Sequence, residues 1–271
     1  MKVHSFLTGF LLILFSTSAN ADQPIFNEMP RWDEGWGFQF IEEYRTESDL
    51  LQGRQKVAPG FSEDIHILHF QGVYTWDRSI RMTFKLPYVL DAQRDMLVGG
   101  TKQRQHDSGI GDATIALPLK KYFNLDGRSG SWTLAPQLRV PLDDMDSYEV
   151  YDHKWGSGIG LSYETETYRY HFGTGATAWV FQGGEPAEIH THLDLGLNVQ
   201  AFGSSGHIKW ESDVQYEADG SLTFMAGPTL YWKITDTVHT QIRWKHDFFD
   251  RQGTLDHGNG DQVMLGLGFV F

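Results

Sequence analysis

The chain has 271 residues, a formal net charge of −13, 40% hydrophobic and 14% aromatic residues, 29 glycines and no cysteine. That balance is too apolar and aromatic for a disordered polymer and too acidic for a nucleic-acid binder, which needs a basic face against phosphate. Without thiols there is no disulfide, thiolate nucleophile or cysteine-ligated metal. A mean hydropathy of −0.38 argues against a bundle of membrane helices, and beyond the N-terminus no run approaches the ~18 apolar residues of a spanning helix.

Residues 1–21 read as a secretory signal peptide. Lys2 supplies the positive start, Phe6 to Phe15 a short apolar core, and Ala19-Asn20-Ala21 the small residues a signal peptidase reads. The core is too short for a membrane anchor, which takes about 20 apolar residues. The mature chain then begins at Asp22, with residues 22–33 as a periplasmic lead-in to a domain over 34–271. An exported, cysteine-free, acidic chain fits the bacterial envelope.

From Trp36 onward the dominant period is two. Ile80, Met82, Phe84, Leu86 and Tyr88 alternate with Ser79, Arg81, Thr83, Lys85 and Pro87. The same alternation sets Leu193, Leu195, Leu197 and Val199 against His192, Asp194, Gly196 and Asn198, and Val238, Thr240, Ile242 and Trp244 against His239, Gln241, Arg243 and Lys245. Strands are expected at 34–45, 64–76, 79–89, 109–123, 131–141, 156–163, 167–181, 188–201, 206–217, 221–233, 236–247 and 262–271.

Alternation alone fits a sandwich, a soluble barrel or a membrane barrel; three features favour the last. The strands run mostly about 10 to 13 residues, where globular strands take about 5 to 6 and membrane strands about 9 to 11. Aromatics gather near strand ends, at Tyr74 and Trp76, Tyr122 and Phe123, Tyr163, Tyr168 and Tyr170, Tyr216, Tyr231 and Trp232, as in interfacial girdles. The last strand, Val263 to Phe271, has apolar residues at every second position and a terminal Phe. It resembles the C-terminal signal of outer-membrane β-barrels, with Phe269 and Phe271 as the residues the barrel-assembly machinery would read. The expected fold is therefore all-β, a transmembrane antiparallel up-and-down β-barrel of about twelve strands in outer-membrane lipid and lipopolysaccharide. Long connections at 46–63, 90–108, 142–155, 182–187 and 248–261 face outward. Short ones at Asp77-Arg78, Glu164-Thr165-Glu166, Gly203-Ser204-Ser205 and Thr235 face the periplasm, with 124–130 a longer turn there and 218–220 a short exception outside.

The polar faces then line the interior, because hydrocarbon does not hydrate charge. Candidate lining residues are Arg81, Lys85, Asp112, Gln137, Arg139, Arg169, His171, His192, Asp194, Lys209, Glu211, Asp213, Arg243 and Lys245. They fringe a narrow pore or cross-link a closed polar core, since about eight strands fill with side chains and sixteen leave a channel. Inward glycines at 156, 158, 160, 173, 175, 196, 227, 266 and 268 are expected to leave space for a pore. Basic residues on the walls would give a weak anion preference, unless Asp112, Asp194, Glu211 and Asp213 tie them up. Pro87, Pro118, Pro136 and Pro228 fall inside strands. Pro118 and Pro136 lie nearly side by side, either as a kinked seam or lateral opening or as a pair of bulges, the reading favoured at a barrel rim.

No catalytic residue is assigned. His257-Gly258-Asn259-Gly260 carries the His and Asn-Gly of a twelve-strand phospholipase family but no Ser between them. No metal or cofactor is assigned either. His190 and His192 share a face, with Asp194 as nearest carboxylate and His190 expected opposite Trp179, yet a site needs a third or fourth ligand. Asp143, Asp144, Asp146, Glu149 and Asp152 make an acidic outer loop without the Gly and terminal Glu of an EF-hand.

Ser108-Gly109-Ile110-Gly111-Asp112 entering a strand, then Leu134-Ala135-Pro136-Gln137-Leu138-Arg139-Val140-Pro141, then Gly156-Ser157-Gly158-Ile159-Gly160-Leu161 resemble the outer-membrane family labelled "putative MetA-pathway of phenol degradation". The resemblance covers residues 64–271, and departs where Pro141 is followed by Leu142-Asp143-Asp144 rather than closely by Gly. It implies a channel for small, often aromatic or hydrophobic compounds. The expected function is passage of small solutes. A closed structural or adhesive barrel acting through its outer loops is the alternative, and an outer-membrane lipid hydrolase the third reading.

Overall fold

The computed structural model describes residues 34–271 apart from 53, 54, 59, 99, 100, 126, 143–149, 152, 185, 202, 203, 253, 254 and 259. The signal peptide, the 22–33 lead-in, Asp143, Asp144, Asp146, Glu149, Asp152 and Asn259 lie outside the described residues. The described chain is one antiparallel sheet of seventeen strand segments: β1 (Gly35–Glu47), β2 (Asp49–Gln52), β3 (Gln55–Lys56), β4 (Ser62–Asp77), β5 (Ile80–Val98), β6 (Thr101–Ile110), β7 (Ala113–Ala116), β8 (Leu119–Leu125), β9 (Arg128–Val140), β10 (Gly156–Glu166), β11 (Tyr170–Phe181), β12 (Glu188–Ala201), β13 (Ser204–Glu217), β14 (Leu222–Lys233), β15 (Val238–Gln252), β16 (Leu255–Gly258) and β17 (Asp261–Val270). Taking β7 and β8 as one stave, these form a closed barrel of 12 strands. β2, β3, β6 and β16 extend it at the long-loop end. Closure runs from Gly37↔Val270 to Thr46↔Asp261 between β1 and β17, and the Phe271 amide donates to the Trp36 carbonyl at 2.8 Å. No open edge is left in the hydrocarbon, as a membrane sheet requires.

Period two sorts the side chains. Phe40, Leu193, Leu195, Leu197, Trp210, Ile242 and Leu265 point outward and are exposed, while Gln39, Glu43, Arg81, Lys85, Arg139, Gln241, Arg243 and Lys245 point inward and are buried. A soluble protein shows the reverse, so this belt is a lipid face. Glu42, below Tyr44 on β1, interrupts it near its outer edge. Trp36, Trp76, Trp132 and Tyr170 ring the short-turn end, and Tyr88, Trp244 and Phe248 ring the other. Tyr44 donates to Asp64 at 2.6 Å at the outer ring, and Trp244 Nε1 donates to Asp261 at 3.1 Å. Chain beyond these rings is outside the membrane.

Three outer connections are more ordered than expected. The segments 46–63, 90–108 and 248–261 carry strand: β5 and β6 pair out to Val98↔Thr101, and β16 bridges β15 and β2. Hydrophobic alternation misses these extensions because ion pairs contribute to the pairing; Asp95 opposes Arg104 and binds it at 2.7 Å and Lys102 at 2.8 Å. In the expected turn 164–166 the strand continues. The reversal comes at 167–169, where the Thr167 hydroxyl accepts from the amides of Arg169 and Tyr170.

The prolines are not bulges at the seam. Register is the same on both sides of Pro118, with Ala116↔Gln137 and Leu119↔Leu134, and of Pro228, with Ala226↔His246 and Thr229↔Arg243. Each removes a ladder donor without a slip. The register shifts lie instead between Val89 and Ala92, between Thr75 and Asp77, and opposite Phe224 and Met225.

One outer loop turns inward. Val150 and Tyr151 are 3% and 2% exposed because they pack on Ile67, Val89 and Ala92 of the inner face. The Val150 amide donates to Asp107 at 2.9 Å. Gly111 makes room: a Cβ there would lie 2.4 Å from the Tyr151 ring.

Candidate functional site: the barrel interior

The inner wall is built by strand parity, and its polar side chains fall into three groups. On β12, β13 and β15 the cross-strand register sets Asp194 opposite Glu211 and His192 opposite Asp213. Two neighbouring acids are tolerable because bases surround them. Arg243 Nε reaches Glu211 at 2.9 Å and Lys209 reaches it at 3.0 Å. Lys245 lies 3.5 Å from Glu211 and also bonds Asp213, and Lys209 is 3.6 Å from Asp194. Three bases against three acids make this wall close to neutral. These bases are tied up by Asp194, Glu211 and Asp213, so the expectation of a free basic wall is corrected for Lys245 and Arg243.

The second group is aromatic. Arg139 on β9 lies over the rings of Phe181 at 4.5 Å and Trp179 at 5.2 Å, and 3.9 Å from Glu188. A guanidinium stacked on aromatic faces keeps charge while shedding water. Trp179 is 2% exposed and stacks on Phe181 at 6.2 Å. The third group centres on Glu43, fully buried on β1. It binds Arg45, His69 Nε2 at 2.6 Å and the amide of Gln262 at 2.7 Å.

Most candidate residues face inward, with Arg81, Lys85, Gln137 and Arg139 buried in the wall. His171 sits 5.9 Å from the ring of His207 near the short-turn mouth. Asp112 is covered by the inward loop, 3.4 Å from His153 Nδ1. Arg169 is a correction: it lies exposed in the 167–169 turn. At the short-turn mouth a cavity of about 470 Å³ opens among Glu166, Arg169, Asn198 and His207.

The inward glycines do not leave space. Added Cβ atoms would meet Trp179 at 2.7 Å from Gly158, Phe181 at 2.7 Å from Gly156, His192 at 2.5 Å from Gly175, Gln241 at 2.6 Å from Gly266 and His239 at 2.1 Å from Gly268. The room each glycine yields is taken by a large side chain of the next strand. The histidine pair is also dispersed. His190 opposes Thr177, not Trp179, and bonds Glu188 at 2.7 Å, so it forms no ligand set with His192 and Asp194. His257 bonds Glu47 at 2.7 Å.

Glu43, His69, Gln39, Gln262 and Glu188 are interior residues that the sequence reading missed. Parity was the available signal for Gln39 and Glu43, but Phe38, Phe40 and Ile41 blur the alternation of β1.

No protein-family model and no curated protein matches the chain. Among solved structures, the COG4313 outer membrane channel from Pseudomonas putida F1 is similar over 92% of this chain and 99% of its own, at 14% identity with a TM-score of 0.66. The KdgM porin is less similar, at 7% identity over 85% of this chain and 99% of its own with a TM-score of 0.45. The CymD monoaromatic hydrocarbon channel, at 8% identity over 89% of each chain, has a TM-score of 0.44. The first likeness shows the fold, that of a bacterial outer-membrane β-barrel.

Proposed function

We propose that this barrel is an outer-membrane channel for small solutes, and that its assembly is directed by Phe269 and Phe271. The observation that carries the reading is the interior itself. Ionisable and amide side chains from many strands face inward inside an apolar belt, and a wall of that kind is stable only when hydrated or paired. A closed structural barrel would economise on such groups, as each unpaired one is costly. Aromatic solutes are among those proposed; the stack of Arg139 on Trp179 and Phe181 is itself packed into the wall and marks no open binding surface. The motifs at 108–112, 134–141 and 156–161 resemble the phenol-degradation-labelled family, which would fit that class, while no family model matches the chain. The closed barrel is favoured by the inward packing of Val150 and Tyr151, by the ion-paired β12–β15 wall and by the large side chains that fill the room at the inward glycines. Swelling of liposomes carrying the purified protein tests the proposal: entry of small phenols and benzoates with exclusion of disaccharides is expected. Impermeability to both would favour the closed barrel.

A further inference from the structure

Beyond the outer ring, β1 ends at Glu47, β15 runs on to Asp250, and β16 lays His257 opposite Asp250 on one side and Leu50 on the other. The three segments thereby bring Glu47, Asp250 and His257 together, one ligand-type atom from each lying within 4.8 Å of the others. His257 Nδ1 is 2.7 Å from Glu47 Oε2. Asp247 lies nearby, outside that three-residue group. Asp247 is 7% exposed; its Oδ1 accepts from the Phe249 amide at 2.8 Å, while its Oδ2 is shielded from solvent and has no hydrogen-bond partner among the described residues. A Cβ on Gly260 would lie 2.9 Å from Asp247 Cβ and 3.4 Å from both that oxygen and Glu47 Cγ, so Gly260 fits between the two side chains.

The surroundings hold these groups in place. The His257 ring meets Phe61 edge-on at 5.4 Å, under a small apolar cap of Leu50, Ala58, Phe61 and Leu255. The Thr223 hydroxyl donates to Asp250 at 3.1 Å. Such outer contacts orient ligands. Two carboxylates face one imidazole, and Arg45 and Arg94, paired with Glu43 and Glu63, also act electrostatically on Glu47. Burial, with Glu47 adding to it, pushes the Asp250 carboxyl up to about 8. Burial works against charge on His257, but the Glu47 carboxylate overrides it and raises the imidazole to about 9.

We propose that Glu47, Asp250 and His257 bind one divalent metal ion of the zinc type at the outer rim, pinning β16 to β1 and β15. One imidazole nitrogen among carboxylate oxygens suits zinc or a neighbouring first-row ion; calcium and magnesium favour oxygen alone. The site is independent of whether the lumen conducts.

The test uses the purified full chain folded in detergent, stripped with chelator and dialysed against zinc, with bound metal measured by emission spectroscopy. One zinc per barrel is expected, not displaced by equal calcium. The double variant His257→Asn, Asp250→Asn should lose affinity by at least about tenfold; His106→Asn, on the exposed β6, should retain it. Equal zinc binding by the double variant, or displacement by calcium, would overturn the site. Should the double variant fail to fold, X-ray absorption on the unmodified protein decides: a zinc shell with one imidazole among oxygens is expected. Two or more imidazoles, or no retained zinc, would contradict it.

Discussion

Glu211 shows how a charge is kept inside this barrel. It is 4% exposed and in ion-pair contact with Arg243, Lys209 and Lys245. Removing one partner of a buried set leaves the others uncompensated. Glu211→Gln should therefore destabilise the folded barrel by about 3 kcal/mol, the lower end for a broken buried pair, measured by urea unfolding in lipid. An unchanged midpoint would mean that water already screens these groups. The opposite face obeys another rule. Leu195 is 52% exposed at the middle of the lipid face of β12, so Leu195→Arg should cost about 2–4 kcal/mol near the midplane, whereas Asp194→Asn, on the inner face, should leave the barrel able to insert. A reversed pattern would turn the barrel inside out. At this scale the sequence was most legible where charge and apolar residues alternate strictly, as in β12 and β13. It was least legible at Glu43, whose partners His69 and Gln262 come from β4 and β17, far away in sequence.

At the level of strands, existence and order followed from period two, but the ends did not. The β6 half of the β5–β6 extension, Thr101 to Ser108, is polar on both faces, so its pairing through Arg104 and Asp95 leaves no hydrophobic signature. The prolines were misread for a related reason: a missing donor and an inserted residue both interrupt a ladder, and only register tells them apart. The glycines were misread because space belongs to a pair of strands, not to one. Gly158 is small because Trp179, opposite it, is large. Gly158→Ala should cost about 1–3 kcal/mol by overpacking, and Trp179→Leu in the same chain should recover part of it. A fully stable single variant in the same unfolding assay would show that the ring has another place to go. The final strand makes its own prediction. The Phe271 amide closes onto Trp36 and its side chain is 77% exposed to lipid, so deleting Phe271 should lower the amount of heat-modifiable barrel in the outer membrane. Normal amounts would count against its role in assembly.

For the whole molecule, the closed antiparallel barrel was legible from alternation, girdle aromatics and the even strand count together. The inward loop was not, because Val150 and Tyr151 follow an acidic run that reads as a solvated surface. That loop and the paired β12–β15 wall both narrow the interior, so the central claim is that a continuous water path persists beside them. Single-channel recording in planar bilayers tests it most directly. Stable, small, ohmic steps with little ion selectivity are predicted, and Arg243→Gln should move the reversal potential toward cations by leaving Glu211 less compensated. Barrels that insert in folded form yet carry no current would contradict the account.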